Sequence, residues 1–392
     1  MPKINVSGKD FIAAQHGSRS RSPRRCNPSC EIQSGSFAWS EVIAIGSIER
    51  HVLYPDGQAR SHQQPRDCLM SKKNRILVTG ATGQIGSELT IELRNRYGRD
   101  NVVAAGHKRA PSESLKSGPY EIVDTSDKES IVKVVKKYEI DTIHHLASLL
   151  SAAGEQNPQL AWQVNMDGLY NVLEIAREHK LAKVLWPSSI AVFGSGVPRI
   201  NTPQNTTLIP STMYGVTKVA GELLCNYYYT RLGVDVRSLR YPGIISSETP
   251  PGGGTTDYAV AIFYEAIKSR QYTCFLREDT VLPMMYMPDC IKATLDLMEA
   301  DSSRIKCRTS YNLTAISFSA GELAAEIKKR FPDFKCDYKP DFRQKIADSW
   351  PMSIDDSVAR EEWGWKPSYD LPTMTNDMIG KLTEKYATGR LG

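Results

Sequence analysis

Apolar and polar residues follow one another in blocks that are typical of strands followed by helices. Short apolar runs, rich in strand-forming residues, stand at 76–78, 101–105, 121–124, 141–147, 183–187 and 234–240. Helical patterns with apolar residues on one face cover 89–96, 127–138, 161–179 and 214–232. Because short buried strands alternate with helices, the sequence predicts an α/β fold with a doubly wound, parallel, Rossmann-type sheet.

Three glycines follow the first predicted strand, at Gly80, Gly83 and Gly86, and a helical pattern begins at Ser87. Glycines allow the backbone to turn tightly and to approach a pyrophosphate, while the helix N-terminus offers unpaired N–H groups and a partial positive charge. A strand, a glycine-rich turn and a helix in this order therefore predict a dinucleotide site. An ordinary glycine-rich connection is the alternative interpretation.

The ribose end of this site departs from the usual pattern. In nicotinamide-binding folds an acid about 20 residues after the glycines holds the ribose 2′-hydroxyl. Gly106 stands at this point instead, and His107, Lys108 and Arg109 follow it. NAD is the expected cofactor, and NADP, with its 2′-phosphate, stays open. Asp124, at the end of the third predicted strand, is placed to accept a hydrogen bond from the adenine amine.

Changes of composition along the chain predict three parts. Residues 1–72 show no sustained periodicity, and we expect a disordered leader or targeting extension there, with the natural start of the folded domain at Met70. Residues 73–246 are expected to form the dinucleotide-binding domain. A glycine-rich loop near 251–254 and short helices and strands then indicate a smaller substrate-binding lobe over 247–392, with segments that return to the sheet.

Composition narrows the classes of partner and the location. The 392 residues are 24% charged, and the basic residues behind the net charge of +5 are scattered, which does not favour nucleic acid. No apolar run approaches the roughly 18 residues of a membrane span. Serine and arginine are frequent in 1–69, which allows a mitochondrial signal, with the cytoplasm as the alternative; whether this stretch is a cleaved leader or dispensable upstream sequence stays open.

The eight cysteines have no regular spacing, which favours free thiols in a reducing compartment. Cys26 and Cys30, with His51 or His62, fit no zinc pattern well, so no metal is expected.

Tyr214 and Lys218 open a predicted helix and, four residues apart, face the same side of it. A tyrosine with a free pKa of about 10 is a poor base at neutral pH, but a neighbouring ammonium group favours the phenolate. Ser189, at the end of the fifth predicted strand, is placed to hold a substrate oxygen during proton transfer. Together with the glycine-rich turn, these residues predict an active site in which Tyr214 is the base.

These motifs resemble those of the extended short-chain dehydrogenases/reductases. Residues 79–86 are similar to the cofactor motif of the family, Tyr214 and Lys218 to its catalytic pair, and 188–194 to its serine motif. Phe193 departs from the tyrosine of many members. The resemblance covers 73–386. Within the family, L-threonine 3-dehydrogenases of the short-chain type are the group whose sequences resemble 146–155, 187–194, 240–246, 251–260 and 351–356.

The resemblance implies NAD-dependent oxidation of L-threonine to 2-amino-3-oxobutyrate, towards glycine and acetyl-CoA, by a homodimer built partly on the helix of Tyr214. The implied catalytic residues are Tyr214, Lys218 and Ser189. The implied substrate-binding residues are Ser151, Ser189, Tyr214, Gly243 and Thr255. The implied cofactor-binding residues are Gly80, Thr82, Gly83, Gln84, Ile85, Gly86, His107, Asp124, Thr125, Leu146, Ala147, Lys218 and Tyr241.

Two other functions stay open. A nucleotide-sugar epimerase or dehydratase shares the fold and the cofactor motifs, but its diphosphate needs a long groove, and the second lobe shows no obvious basic cluster to line it. A catalytically silent cofactor-binding protein is the other alternative, although such a protein would lose Tyr214 and Lys218.

Several other polar residues are expected to be structural. His144 and His145 lie within a predicted strand and are expected to be satisfied core residues rather than ligands. Arg240 ends a strand and either pairs with a carboxylate or supports the structure. Asp289 is expected to cap a helix.

Overall fold

The computed structural model describes residues 74–389, so the leader predicted for 1–72 lies outside the described residues. The strands are β1 Ile76–Thr79, β2 Val102–Gly106, β3 Tyr120–Ile122, β4 Thr142–His145, β5 Lys183–Leu185, β6 Ser188–Ser189, β7 Val236–Arg237, β8 Leu239–Tyr241, β9 Gly243–Ile245, β10 Gln271–Cys274, β11 Val281–Tyr286, β12 Tyr311–Asn312, β13 Ile316–Ser319 and β14 Lys335–Tyr338.

The helices are α1 Gln84–Tyr97, α2 Glu113–Lys116, α3 Lys128–Tyr138, α4 Ser151–Gln156, α5 Pro158–Trp162, α6 Gly168–Glu178, α7 Met213–Leu232, α8 Tyr258–Lys268, α9 Met287–Glu299, α10 Ala320–Lys328, α11 Arg343–Asp348, α12 Ser357–Trp363 and α13 Leu371–Ala387. A π-helical turn, Gln163–Asp167, joins α5 to α6, so that the predicted helix 161–179 is continuous but wound more loosely at this point. Within residues 74–389, no helix combines the length and the apolar character that a membrane crossing requires.

Six strands form a parallel sheet in the order β3-β2-β1-β4-β5-β7. β1 pairs with β2 on one side and with β4 on the other, so the strand order reverses between β1 and β4. In open α/β sheets, ligands bind beyond the carboxyl ends of the strands at such a reversal. The predicted doubly wound sheet is confirmed, and its ligand-binding edge lies beyond Thr79 and His145.

The central strand is apolar throughout because helices cover both faces of the sheet. Ile76 and Val78 belong to the core under α1, α2 and α9, whereas Leu77 belongs to the core under α3, α6 and α7. A strand buried on both faces needs a continuous apolar run, which is the pattern from which β1 was predicted.

The later part of the chain builds three smaller sheets, in the orders β12-β8-β6, β13-β11-β9 and β10-β14. α8, α10 and α13 pack around one core, which includes Phe263, Phe318 and Met378 and extends to residues 190–193. Other segments rejoin the first part, because α9 packs against α1 and β12 pairs with β8. The limits proposed for the two parts, 73–246 and 247–392, stay a prediction.

Three boundaries differ from the predicted ones. α1 begins at Gln84 rather than at Ser87, so that Gly86 belongs to the helix and not to the turn. β3 ends at Ile122, so Asp124 follows the strand instead of ending it. The predicted strand 234–240 divides into β7, which pairs with β5, and β8, which pairs with β6 and β12. The apolar run is continuous because both pieces are buried, although they join different sheets.

Asp289 has a different role from the predicted helix cap. It lies in the first turn of α9, whose N-cap is Tyr286, and its carboxylate accepts hydrogen bonds from the backbone N–H groups of Ser368, at 2.9 Å, and Tyr369, at 3.1 Å. The prediction of a cap is wrong because the partners are distant in sequence. Asp289 ties the segment before α13 to α9.

The described cysteines are free thiols, namely Cys225, Cys274, Cys290, Cys307 and Cys336, whereas Cys26, Cys30 and Cys68 lie outside the described residues. His144 and His145 are buried, as expected. The Nδ1 atom of His145 hydrogen-bonds the Thr79 hydroxyl at 2.8 Å, but Nδ1 of His144 and Nε2 of His145 have no hydrogen-bond partner, so these residues are only partly satisfied.

Replacing Asp289 by alanine should lower the free energy of unfolding by about 1–3 kcal/mol, because the backbone N–H groups of Ser368 and Tyr369 lose their buried acceptor. Urea denaturation followed by circular dichroism would measure this loss. The control is Asp296→Ala on the same helix, which removes only a partly exposed pair with Lys292 and should change the free energy by less than about 0.5 kcal/mol. Equal losses in the two variants would contradict the tethering role.

Candidate active site

The glycine-rich loop between β1 and α1 is packed too closely for side chains. Gly80 has φ of +69°, and a Cβ there would lie 2.6 Å from the backbone nitrogen of Ala147. A Cβ at Gly86 would lie 2.9 Å from the carbonyl carbon of Gly80 and would overlap its oxygen. Gly83 is the N-cap of α1, and no side chain caps this helix. The close packing and the uncapped helix N-terminus together fit a bound pyrophosphate.

A cavity of about 250 Å³ opens beside this loop. It is lined by twelve of the predicted site residues, namely Gly80, Gly83, Gln84, Ile85, Gly86, Leu146, Ser151, Ser189, Tyr214, Lys218, Tyr241 and Thr255. The other predicted residues do not line it, namely Thr82, His107, Asp124, Thr125, Ala147 and Gly243. A larger cleft, of about 960 Å³, is lined by α1, α9 and residues 109–115 and contains none of the predicted catalytic side chains.

Lys218 is buried in the wall of this cavity, on the face of α7 that also carries Tyr214. Its Nζ donates a hydrogen bond of 2.7 Å to the carbonyl oxygen of Pro187. The same atom lies 4.6 Å from the centre of the Trp186 ring and 5.4 Å from that of the Tyr214 ring. Burial lowers the pKa of Lys218 to about 7, so that near neutral pH the amine exchanges its proton easily.

Tyr214 hydrogen-bonds Ser189, which brings the two predicted catalytic hydroxyl groups together. The Ser189 oxygen also accepts a 3.2 Å hydrogen bond from the Ala191 backbone N–H. Burial raises the pKa of Tyr214 to about 12, and the hydrogen bond with Ser189 lowers it only in part. The protein's own groups therefore do not produce the lowered tyrosine pKa that the sequence predicts, because desolvation of the buried phenol outweighs the hydrogen bond with Ser189.

The predicted substrate-binding residues are not all in the cavity. Ser151 begins α4 and is buried at the cavity wall. The hydroxyl oxygen of Thr255 is buried without a hydrogen-bond partner, which is costly unless a ligand supplies one. Gly243 lies in β9 with its α-carbon packed against Met284 and Thr256, so it can contribute to the site only by making room for them.

The predicted cofactor residues outside the cavity fall into two groups. Ala147 packs against Gly80, and Thr125 is buried against Gly168. The exposed side chains of His107 and Asp124 approach each other after β2 and β3, with 3.7 Å between Nε2 and Oδ2.

Asp124 is held as a carboxylate at this end of the sheet. The Ser126 hydroxyl and N–H donate to it, at 2.7 and 3.0 Å, and keep its pKa below the ordinary value. Thr82, the remaining predicted residue, lines the larger cleft instead. Tyr241 contacts the cavity with its ring, because its hydroxyl is hydrogen-bonded to Thr294.

Trp350 and Asp257 are among the residues that line the cavity but were not predicted from the sequence. Trp350 belongs to the segment after α11, and no local pattern distinguishes it from a core tryptophan. Asp257 accepts hydrogen bonds from the N–H groups of Gly252, at 2.6 Å, and Gly254, at 2.9 Å, and so fixes the loop that carries Thr255. An aspartate three residues after a glycine-rich run is a signal that could have indicated this role.

Arg240, for which two roles were open, forms a buried ion pair with Glu222 of α7, with 2.8 Å between Nη2 and Oε2. It therefore supports the protein structure and is not free to bind a substrate carboxylate. Over residues 74–389, no cluster of three or more His, Cys, Asp or Glu side chains is suited to hold a metal ion. The candidate set of Cys26, Cys30, His51 and His62 lies outside these residues.

Comparisons with known proteins agree with this geometry. Residues 76–313 match the model of the NAD dependent epimerase/dehydratase family. An uncharacterized epimerase/dehydratase from Staphylococcus haemolyticus is 50% identical over 313 residues, which are 79% of this chain and 98% of that protein. This relative is bacterial and gives the predicted mitochondrial location no support.

Two solved structures resemble the chain at similar levels of identity. An L-threonine dehydrogenase from Clostridium difficile is 53% identical with a TM-score of 0.78, over 81% of this chain and 99% of that one. A monomeric L-threonine 3-dehydrogenase from a metagenome is 48% identical with a TM-score of 0.76, over 79% and 99%. The resemblance to such enzymes is thus confirmed, and the chain belongs to the NAD-dependent epimerase/dehydratase family of extended short-chain dehydrogenases/reductases.

Proposed function

We propose that this protein catalyses the NAD-dependent oxidation of L-threonine to 2-amino-3-oxobutyrate. The observation that carries the proposal is that Ser189, Tyr214 and Lys218 meet in one cavity next to the glycine-rich loop. The similarity to L-threonine dehydrogenases over four-fifths of the chain supports the choice of substrate. Bound NAD would supply the hydride acceptor and, in its oxidised form, a positive charge in the cavity.

Tyr214 is the proposed general base, which takes the proton of the substrate hydroxyl group. The Ser189 hydroxyl, hydrogen-bonded to the same phenol, holds the substrate oxygen while the proton moves. Lys218 provides a charge within reach of the phenol, since its amine lies 5.4 Å from the centre of the ring. These three groups hold and move one proton at one substrate oxygen, as the oxidation of a secondary alcohol requires.

Residues at the other walls of the cavity are proposed to bind the amino-acid part of the substrate. Thr255 offers a buried hydroxyl group without a hydrogen-bond partner. Ser151, at the same cavity, offers another hydroxyl group. Trp350 and the loop fixed by Asp257 close the cavity around them. The resulting cavity is mainly apolar with a few hydroxyl groups and few charges, which suits a small substrate whose polar groups are bound at separate points.

A nucleotide-sugar substrate is a poorer match to this cavity. A diphosphate is normally bound by several arginine or lysine side chains. Among the described residues that line the cavity, Lys218 is the only lysine or arginine. Its amine already donates a hydrogen bond to the Pro187 carbonyl oxygen. The pyrophosphate of the cofactor can use the α1 N-terminus, but a second diphosphate has no comparable site there.

We also propose that NAD is preferred to NADP. Asp124 is kept as a carboxylate by Ser126 at the ends of β2 and β3, where the adenosine part of the cofactor is expected. A 2′-phosphate would bring two more negative charges close to this carboxylate. The His107 side chain is already paired with Asp124, at 3.7 Å between Nε2 and Oδ2.

A homodimer is proposed from an apolar surface on α5, α6 and α7. Six large apolar side chains are 41–62% exposed on these neighbouring helices, namely Leu160, Trp162, Tyr170, Val216, Leu223 and Tyr227. Three of them follow a single stripe of α7, opposite the face that carries Tyr214. An exposed apolar patch of this kind is typical of a two-fold interface, although one similar structure is described as monomeric.

Replacing Gly86 by alanine should weaken NAD binding at least about tenfold, because the new methyl group would push the glycine-rich loop away from α1. Titration calorimetry with NAD and with NADP would measure both affinities, and the unchanged protein should bind NAD more tightly. Gly380→Ala is the matched control, since a Cβ at that helical position meets no atom within 4 Å. Undisturbed NAD binding by Gly86→Ala would disprove the proposed pyrophosphate site.

Replacing Tyr214 by phenylalanine should reduce kcat with L-threonine and NAD by about 10²- to 10⁴-fold, because the proposed base is removed while the ring remains. The affinity for NAD should change little. The rate of NADH formation, measured by absorbance, would test this, with UDP-galactose conversion assayed in parallel. Tyr386→Phe, at an exposed tyrosine of α13 outside the cavity and the apolar surface, is the control and should keep full activity. Retained turnover in Tyr214→Phe, or sugar conversion without threonine oxidation, would refute the proposal.

The dimer proposal predicts that the protein has twice the chain mass in light scattering at micromolar concentration. Leu223→Asp should convert it to a monomer, because a charge would be buried at the centre of the apolar surface. Phe342→Asp replaces a comparably exposed side chain outside this surface and should leave the mass unchanged. A monomeric unchanged protein would rule out the dimer.

A further inference from the structure

Three side chains on one face of α7 form hydrogen bonds with three consecutive residues, 187–189. Tyr214, Lys218 and Glu222 are four residues apart and share this face. Tyr214 forms a hydrogen bond with Ser189, the last residue of the segment. Lys218 forms one with Pro187, the first residue. Glu222 binds the middle one, because the Ser188 hydroxyl donates to its Oε1 at 2.6 Å. The catalytic serine therefore directly follows two residues that are attached to the helix that carries the proposed base.

Arg240 completes this attachment from the neighbouring strand. In the pairing of β6 with β8 it lies directly opposite Ser188. Its Nε and Nη2 donate to the two carboxylate oxygens of Glu222, at 2.9 and 2.8 Å. Its Nη1 donates to the Gln204 carbonyl oxygen, at 3.0 Å, and to Asn312, at 2.9 Å. The Arg240 and Glu222 side chains are only 4% and 1% exposed, so solvent does not screen the pair.

We propose that Glu222 and Arg240 are positioning residues for the reaction at Tyr214, and that the mutual cancellation of their charges sets the pH range in which the site works. The proposal rests on the proposed function, because it concerns the pH dependence of that activity. The side chains of successive residues in a strand point to opposite faces. The hydrogen bond that fixes the Ser188 side chain therefore also determines the direction of the Ser189 side chain. The pair thus acts through Ser189 and Lys218 and does not touch the substrate.

Few other charges face Lys218 and the ion pair. His145, on β4, stays neutral because burial lowers its pKa to about 3. Cys225, on α7, and Cys307, near Arg240, stay neutral thiols because burial raises their pKa values. The groups left to consider are the ion pair, Lys218 and Asp257, which lines the cavity and accepts hydrogen bonds from the backbone N–H groups of Gly252 and Gly254. Removing either member of the pair leaves one unscreened charge close to the proton that must move.

The sign of the effect follows from that remaining charge. In Glu222→Gln the Arg240 charge is uncompensated, and a positive charge favours loss of a proton from both Tyr214 and Lys218. The acid limb of the kcat/KM profile should therefore move to lower pH by about 0.5–1 unit. In Arg240→Met the carboxylate of Glu222 is uncompensated, and the limb should move to higher pH by a similar amount.

The double variant Glu222→Gln/Arg240→Met removes both charges. Its acid limb of the kcat/KM profile should lie at the same pH as that of the unchanged protein, even if kcat is lower. If Arg240→Met does not fold, the comparison of Glu222→Gln with the double variant decides the question. The matched control is Asp235→Asn, which breaks another buried ion pair, with Arg237 and Arg308, away from the cavity. It should reduce the melting temperature without moving the pH profile.

Folded variants whose pH profiles coincide with that of the unchanged protein would overturn the proposal and leave the ion pair a purely structural feature. Shifts of the same sign in the two single variants would overturn it as well. This outcome differs from failure of the proposed function, which would appear as undiminished turnover in Tyr214→Phe. The affinity for NAD, measured on every variant, should stay within about twofold, because neither residue lines the cavity.

Discussion

Lys218 brings an amine into the wall of the cavity, where only 3% of the residue is exposed. A buried amine is costly unless acceptors surround it, and here the Pro187 carbonyl oxygen and two aromatic rings do so. This contact fixes the distance between α7 and the end of β5. Because Ser189 follows Pro187 by two residues, the same contact also determines where the serine meets Tyr214. The arrangement of the catalytic groups thus depends on how one lysine is buried.

The parallel sheet explains why this arrangement lies next to the glycine-rich loop. β1 and β4 are neighbours at the reversal of strand order, and the loop follows β1 while Leu146 follows β4. β5 is the next strand, and the segment after it carries Ser189. Carboxyl ends of parallel strands meet at one edge, so three distant segments form a single cavity. Thr255 and Trp350 reach this edge from the later part of the chain and complete the wall.

Local signals were enough to predict the half of the site that depends on neighbouring residues. The glycine-rich turn and the spacing of Tyr214 and Lys218 reflect backbone geometry and one helix face, both of which a short window of sequence contains. Trp350 could not be predicted in this way, since its position depends on how the later segments fold back. The same holds for Arg240, since a structural role was one of the two roles expected for it but its partner Glu222 could not be identified.

The pKa values show most clearly what a short motif cannot contain. The spacing of Tyr214 and Lys218 predicts a lowered tyrosine pKa only if the lysine is charged and the phenol is well solvated. In the folded chain both groups are buried, and the same desolvation that raises the pKa of Tyr214 to about 12 lowers that of Lys218 to about 7. At neutral pH the protein's own groups therefore keep the phenol protonated. A further positive charge within the cavity would favour release of that proton, so the basicity of Tyr214 depends on what binds beside it.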